Sequence, residues 1–189
     1  MLKDLIKKSR SYRRFNQDVE VSEATLRELV ELAQLSPSGA NRQPLKFITI
    51  ADRETNAKIF ECLAWAGYLK DWAGPAEGER PSAYIVILCD TEIREDSPVD
   101  EGIAAQSMML GAVEKGLGGC MLGAINRNKI REILDVPERY EILVVLALGE
   151  PAETVVIDEV GEDGDIKYWR DDDDVHHVPK RSLDEIIVS

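Results

Sequence analysis

Cysteine and histidine are scarce in this sequence, and their scarcity excludes several kinds of site. The 189 residues include three cysteines, Cys62, Cys89 and Cys120, and none of them has C-x-x-C spacing. An odd set without such spacing argues against a disulfide framework or a zinc site, and it fits a reducing cytoplasm, where we expect the protein to reside. The two histidines, His176 and His177, are adjacent, and adjacent residues on a strand point to opposite faces. We therefore expect no metal site.

Long apolar runs and a positive overall charge are also lacking. No run approaches the roughly 20 apolar residues of a membrane span. The first residues, MLKDLIKKS, lack the apolar core of a secretory signal. The chain has 23 Lys and Arg against 36 Asp and Glu, which gives a net charge of −13. Such a charge repels phosphate over most of the surface, so we expect neither nucleic acid nor membrane as a partner.

What the sequence does contain is an ordinary globular pattern of helices and strands. Hydrophobic residues make up 44% of the chain, enough for one domain with its own core. The apolar periodicity predicts helices at 1–8, from Ser22 to before Pro37, and at 54–68, 99–116 and 127–135, and strands at 45–52, 82–90, 118–122 and 140–151. Strands 82–90 and 140–151 are apolar enough to be buried on both faces. Helix 99–116, apolar nearly all round, is typical of a core or subunit-interface helix.

The C-terminal residues 152–189 have a different pattern. Short strand signals alternate with the turns GEDG and DDDD, and SLDEIIV closes the chain as a short helix. This segment has too little apolar material for its own core, so we interpret it as an extended arm of a single domain, 1–189. The run 171–174 lacks the glycine and the distal glutamate of an EF-hand calcium loop, and a solvated turn explains it better.

One cluster of cations interrupts this acidic chain. Residues 7–15 read KKSRSYRRF, and a second pair, Lys180 and Arg181, follows Pro179. Arginine supplies a fork of N–H donors and serine a hydroxyl, which is the combination that a phosphate requires. Judged by charge alone, the alternative is that these cations simply face solvent and bind nothing.

Two further stretches are candidates for binding. GLGGCMLG (116–123) fails as a dinucleotide-binding motif, because Met121 stands where a glycine is needed and a helix precedes the glycines. Gly116 is explained as a helix cap with positive φ, whereas Gly123 lies where a flat ligand could approach the backbone. The polar loop SPSGANRQPLKF (36–47) is either a binding loop or a plain connector.

Five stretches in order resemble the FMN-dependent nitroreductase family. They are SRSYRRF, SPSGANRQPLKF, GIAAQSMMLGAVEKGLGGCMLGAI, LALGEP and VPKRSL, and together they cover nearly the whole chain. The resemblance implies an α+β fold with a mainly antiparallel sheet flanked by helices and an extended C-terminal arm. It also implies an obligate homodimer with two FMN sites at the interface, across which we expect the arm to pack.

The resemblance also implies which residues bind FMN. The N-terminal run would hold the phosphate and ribityl chain, the loop would reach the flavin from the partner subunit, the strand end would pass the ring, and the last two cations would return to the phosphate. In that order the residues are Ser9, Arg10, Ser11 and Arg13; Pro37, Ser38, Gly39, Asn41 and Gln43; Met121, Leu122 and Gly123; and Lys180 and Arg181. The family usually has Arg in place of Ser9 and often Trp in place of Leu45.

The function implied by the resemblance is flavin chemistry. We expect NAD(P)H to pass hydride to FMN, and an electrophilic acceptor such as a nitroaromatic, a quinone or an activated alkene then to take it in a ping-pong scheme. We assign no catalytic residue, because the flavin carries the chemistry. The alternatives are a specialised relative, a dehalogenase or flavin-fragmenting enzyme, and a non-catalytic module that docks anionic lipid or a partner.

Overall fold

An antiparallel sheet of five strands forms the centre of the fold. The computed structural model describes residues 1–95 and 98–188. The strands are β1 (Phe15–Asn16), β2 (Leu45–Ile50), β3 (Ala83–Asp90), β4 (Gly118–Leu122) and β5 (Tyr140–Pro151). Their order is β1-β5-β3-β2, and β4 also pairs with β5. The long strand β5 therefore pairs with three strands, β1, β3 and β4.

Strand β3 is the most buried element of the sheet. All eight of its residues are buried, and Ile85 and Val86 lie opposite Leu146 and Val145 of β5. A strand with packed side chains on both faces needs an apolar residue at almost every position, which is the pattern of SAYIVILCD. The prediction of a buried strand here is confirmed.

Helices cover both faces of this sheet. They are α1 (Leu2–Lys8), α2 (Glu23–Gln34), α3 (Arg53–Phe60), α4 (Pro98–Glu114) and α5 (Arg127–Ile133). On one face Leu29 of α2 and Met108 of α4 pack against the sheet, and on the other Ile59 of α3 and Ile130 of α5 do so. Ser22 caps α2 as expected, because its hydroxyl accepts a hydrogen bond from the Thr25 backbone N–H at 3.1 Å. The predicted α+β class with an antiparallel sheet is confirmed.

The prediction of a helix over 54–68 is wrong in its second half. Helix α3 ends at Phe60, and Leu63 forms an isolated antiparallel bridge with Ile125. The Ala64 backbone N–H donates to the carbonyl of Ala124 at 2.9 Å, so pairing with a distant segment replaces the next helical turn. Apolar spacing alone does not reveal such long-range competition for backbone hydrogen bonds.

The C-terminal arm forms a small second sheet. Its strands β6 (Val155–Glu159), β7 (Trp169–Arg170) and β8 (His176–Lys180) lie in the order β6-β8-β7 and precede helix α6 (Leu183–Ile186). Strand β6 runs parallel to β8 and β7 antiparallel to it, and the strand signal at DIKYWR yields only two strand residues. Among the described residues, none of the helices has the length and apolar character needed to cross a bilayer.

Candidate cofactor site

The cationic N-terminal segment is held against strand β4. Ser11 forms a parallel bridge with Gly119, and the Tyr12 backbone N–H donates to the Gly119 carbonyl at 2.9 Å. A Cβ at Gly118 would stand 2.5 Å from Cδ2 of Tyr12 and 2.7 Å from Cγ of Pro151. Gly118 is therefore required for close packing. Gly116, with φ of 77° just after helix α4, has the helix-ending geometry that the sequence predicted.

This attachment creates a cleft that we call the cation cleft, with a volume of about 290 Å³. Its cations come from both ends of the chain, and none of the lining residues that the structure describes carries a carboxylate. The lining consists of Ser9, Arg10, Ser11, Arg13, Gln106, Met109, Met121, Tyr168, His176, Val178 and Lys180. Six of the predicted ligands are thus brought together: Ser9, Arg10, Ser11, Arg13, Met121 and Lys180.

Arg13 is the most buried cation of the cleft, with 8% of its surface exposed. Its Nη1 donates to the Ser11 carbonyl at 3.2 Å and lies 3.1 Å from Nε2 of His176. The guanidinium carbon stands 4.7 Å from the centre of the Tyr168 ring, a cation–π contact. Arg10 donates from Nη2 to the carbonyl of Ile6 at 2.8 Å. In the described part of the chain, the Nε–H groups of both arginines have no hydrogen-bond partner.

His176 is a neutral side chain in this cleft. Burial and then the nearby charges of Arg13 and Arg170 lower the pKa of His176 to about 4. Because an arginine can only donate, Nε2 of His176 accepts from Arg13, and the ring proton lies on Nδ1. Nδ1 is also buried without a partner among the described residues. The cleft thus has three unpartnered N–H donors and two arginines, which is the environment of an anion site.

The polar loop at 36–45 lies away from the cation cleft. Ser38 donates from Oγ to Oδ2 of Asp100 at 2.6 Å, and the Gly39 N–H donates to Oδ1 at 3.0 Å. Burial opposes the charge of Asp100, but these two hydrogen bonds and the positive charge of Arg94 together outweigh it and lower the pKa of its carboxyl. The Gln43 N–H donates to Oγ of Ser38 at 2.9 Å, closing the loop.

This loop borders a second cleft of about 200 Å³, which we call the loop cleft. Its lining includes Pro37, Ser38, Gln43, Leu45 and Asp100, and none of its described lining residues belongs to the cation cleft. Asn41 and Gln43 have positive φ values of 54° and 53°. Gly39 and Asn41 are exposed. Within the chain, the loop therefore does not reach the predicted phosphate ligands.

The remaining predicted ligands lie outside the cation cleft. Leu122 points into the core, because it alternates with the exposed Met121 along β4. Gly123 is exposed beyond the strand, with open space where a Cβ would stand. Arg181 forms an ion pair with Glu185 on the surface.

Five residues of the cation cleft were missed by the sequence reasoning: Gln106, Met109, Tyr168, His176 and Val178. The alternation of side chains along a strand could have identified two of them. His176 and Val178 alternate with Lys180 along β8, so they share its face of the strand. Gln106 and Met109 lie three residues apart on α4, but nothing in their spacing indicates which neighbour they face.

Comparisons of sequence and of structure both find nitroreductases among the proteins similar to this chain. The sequence profile of the Nitroreductase family matches residues 6–150. A Methanothermobacter thermautotrophicus protein with the provisional name NADH dehydrogenase/NAD(P)H nitroreductase is 31% identical over 142 residues, which cover 71% of this chain and 69% of that protein. The iodotyrosine deiodinase of Thermotoga neapolitana is 25% identical over 154 residues, covering 72% of this chain and 81% of the deiodinase. The solved structure of an FMN-dependent nitroreductase from Clostridium difficile R20291 is 29% identical with a TM-score of 0.65, covering 79% of this chain and 87% of that one.

Proposed function

Because the chain belongs to the nitroreductase family, we propose that it acts as a homodimeric FMN-dependent oxidoreductase that uses NAD(P)H to reduce an electrophilic acceptor. Family membership confirms the expected oxidoreductase class and the expected FMN cofactor. The ping-pong order, the acceptor class and the dimer are parts of the proposal. Nitroaromatics, quinones and activated alkenes are the acceptors that we propose.

The observation that carries the proposal is the cation cleft. In a protein with a net charge of −13, the cleft gathers Arg10, Arg13 and Lys180 with two serine hydroxyls. The buried Nε–H groups of both arginines and Nδ1–H of His176 have no partner in the described part of the chain. A phosphate with roughly two negative charges supplies three strong acceptor oxygens, so the residues present fit the phosphate end of FMN.

We assign the binding roles from this geometry. Ser9, Arg10, Ser11, Arg13 and Lys180 would hold the phosphate and the ribityl chain. Met109, Met121 and Val178 give the cleft its apolar wall and would pack against the ring. When bound, FMN supplies the chemistry that accepts a hydride and then delivers it. The chain contributes binding, orientation and a positive local field, with Arg181 joining the phosphate if its pair with Glu185 opens.

The proposal of a dimer is supported by the incompleteness of each cleft. A volume of about 290 Å³ is just below the roughly 300–1,000 Å³ typical of small-molecule pockets. Helix α4 contributes Asp100 to the loop cleft and Gln106 and Met109 to the cation cleft. A two-fold axis near α4 would bring the loop of one subunit, including Pro37–Gln43, to the cation cleft of the other. Met121 and Gly123 would then face the flavin ring.

The arm 152–189 would complete this single-domain subunit by packing on its partner. Part of the arm contacts its own chain, since the Glu153 carboxylate accepts from the backbone N–H of Arg14 at 3.1 Å, and Tyr168 and His176 contact Arg13. Other apolar side chains of the arm remain open: Ile157, Ile166, Trp169 and Ile186 are 44%, 46%, 47% and 58% exposed. A partner subunit is the surface that we propose for these side chains.

Dehalogenation is the second candidate function, because one relative is an iodotyrosine deiodinase. The same experiment separates the candidates. Purified protein is expected to be yellow, and stopped-flow mixing with NADH and with NADPH should bleach the flavin and identify the preferred reductant. The reduced enzyme is then offered a nitroaromatic, a quinone, an activated alkene and a halogenated phenol.

The kinetic pattern tests the mechanism. Parallel lines in double-reciprocal plots are expected for a ping-pong scheme, whereas intersecting lines would contradict it. Fastest reoxidation by the halogenated phenol would favour the dehalogenase. A colourless protein that fails to take up added FMN but binds anionic vesicles would overturn the oxidoreductase proposal in favour of a docking module.

A further inference from the structure

A third cavity lies between helix α3, the segment 77–82 and the start of strand β3. Its volume is about 240 Å³, and Asn56, Phe60, Arg80, Ser82 and Tyr84 belong to its lining. None of its described lining residues borders the cation cleft or the loop cleft. This α3 cavity is therefore separate from the proposed flavin site.

Four buried polar atoms of this lining lack hydrogen-bond partners. Within residues 1–95 and 98–188, these atoms are Oδ1 of Asn56, Nε of Arg80, Oγ of Ser82 and the hydroxyl of Tyr84. Tyr84 is fully buried and Asn56 is 7% exposed. Buried polar groups without partners are rare in folded proteins, so four around one cavity single it out as a candidate binding site.

The orientation of Asn56 is determined by its other contact. Its Nδ2 donates to the carbonyl of Ser82 at 2.7 Å, and a carbonyl can receive only the amide nitrogen. Oδ1 of Asn56 is therefore the free atom, and it needs a donor. The neighbouring hydroxyls of Ser82 and Tyr84 do not supply that donor in this structure.

Arg80 needs the opposite kind of partner. Its guanidinium lies over the ring of Phe60, with 4.2 Å between the guanidinium carbon and the ring centre. Among the described residues it forms no ion pair, although Glu20 and Glu77 line the same cavity. Glu20 pairs with Arg53 at 3.6 Å instead. An arginine stacked on an aromatic ring without a carboxylate is suited to bind one from a ligand.

The ligand must therefore bring both an acceptor and a donor, and the lining glutamates favour a positively charged donor. We propose that the α3 cavity binds a small zwitterion of the α-amino acid class. Its carboxylate contacts Arg80 and the hydroxyls of Ser82 and Tyr84, and its ammonium group contacts Oδ1 of Asn56 and the carboxylate of Glu77. Phe60 and Ala57 form the apolar wall for a short side chain. The site is independent of the flavin chemistry proposed above.

The test is isothermal titration of the FMN-loaded protein with glycine, L-alanine, L-serine and L-valine. Acetate and methylammonium serve as probes that carry one half of the charge pattern. At least one amino acid should bind saturably, and both half-ligands should bind at least about tenfold more weakly. A cavity that holds only water would give no saturable heat with any of the four amino acids, and this result would overturn the proposal.

Three variants assign the binding to this cavity. Arg80→Gln should weaken the best amino acid about tenfold or more, because it removes a charge-assisted contact. Tyr84→Phe, which removes only a hydroxyl, should weaken the binding of the same amino acid about fivefold. This variant still tests the proposal if Arg80→Gln fails to fold. Arg27→Gln, at an exposed position on α2, is the control and should bind normally. Binding that survives both cavity substitutions, or acetate that binds as tightly as the amino acids, would overturn the proposal.

Discussion

At the scale of single residues, Arg13 connects the two ends of the chain. Its side chain contacts the ring of Tyr168 and Nε2 of His176, both in the C-terminal arm. Its backbone N–H donates to the carboxylate of Glu153, where the arm begins. The same residue therefore fixes the arm and places a cation in the cleft, so its loss should affect both stability and binding.

The arginines of the cation cleft provide the first prediction. A charge-assisted contact contributes roughly 1.5–3 kcal/mol, so the double variant Arg10→Ala/Arg13→Ala should lose FMN affinity about tenfold or more. Flavin fluorescence titration measures the dissociation constant. Arg10→Ala alone separates binding from folding, because the one hydrogen bond of the Arg10 side chain within the described residues is to the carbonyl of Ile6. Arg27→Ala on α2 is the matched control, and unchanged affinity in the double variant would contradict the assignment.

The two cations of the arm should differ in their importance. Lys180 lines the cation cleft, whereas Arg181 pairs with Glu185 outside it. Lys180→Ala should weaken FMN binding about tenfold, and Arg181→Ala should have less than about a fivefold effect, since exposed ion pairs contribute roughly 0–1 kcal/mol. Each variant removes one cation from adjacent positions of the arm, so each serves as a control for the other. Equal losses of affinity in both would contradict this ranking.

At the scale of elements, the small sheet of the arm depends on His177 in strand β8. Its Nδ1 lies 2.7 Å from Oδ2 of Asp158 in β6, and its Nε2 lies 3.2 Å from Oδ2 of Asp171. The ring also stacks on Trp169 with 4.1 Å between centres. Only a protonated histidine can donate to both carboxylates. Burial opposes that charge, but the two hydrogen bonds outweigh it and raise the pKa of His177.

The raised pKa of His177 predicts a pH dependence of stability. The contribution of protonated His177 to the free energy of unfolding is fully present below the unfolded pKa of about 6.5. It is lost as the pH rises through the higher folded pKa. Thermal unfolding from about pH 6 to pH 9 should therefore show a difference between wild type and His177→Gln that shrinks with rising pH. His176 has a folded pKa depressed to about 4, so its contribution to the free energy of unfolding has the opposite pH dependence. That contribution is lost as the pH falls from about 6.5 toward 4. A difference that stays constant over the range would contradict the role of His177.

The attachment of the N-terminal segment to β4 is testable through Gly118. Gly118→Ala places a methyl group against the rings of Tyr12 and Pro151 and should cost about 1–3 kcal/mol of unfolding free energy. Displacement of Tyr12 should also disturb Ser11 and Arg13 and weaken FMN binding. Gly67→Ala is the control, because no atom lies within 4 Å of its Cβ position. Urea unfolding measures both variants, and equal stability would show that the close packing is unimportant.

At the scale of the whole molecule, several large apolar side chains are exposed to solvent. Leu2 of α1 is 63% exposed and Val99 of α4 is 68% exposed, in addition to the side chains of the arm. We predict a dimer that loses flavin when it dissociates, because in our proposal each site draws residues from both subunits, and large apolar interfaces often leave no stable monomer. Sedimentation velocity of dilute holoprotein, followed at the flavin absorbance, measures this. A folded yellow monomer would contradict the prediction.

Burial on both faces is the feature that the sequence determined by itself. Strands 82–90 and 140–151 had to be central, because a strand covered on both sides needs an apolar side chain at nearly every position. The cation cluster was equally evident, since Arg10 and Arg13 stand out in an acidic chain. The cofactor came from resemblance to a family and not from composition or spacing.

Contacts between distant segments were decided only by the tertiary structure. Helix α3 ends at Phe60 because the following segment pairs with Ile125, and Gly118 is small because Tyr12 packs against it. The place of His176 beside Arg13 depends on how the arm folds back over more than 160 residues of chain. Local periodicity records which face of an element is buried, but it does not record which distant element covers that face, because many partners satisfy the same apolar pattern.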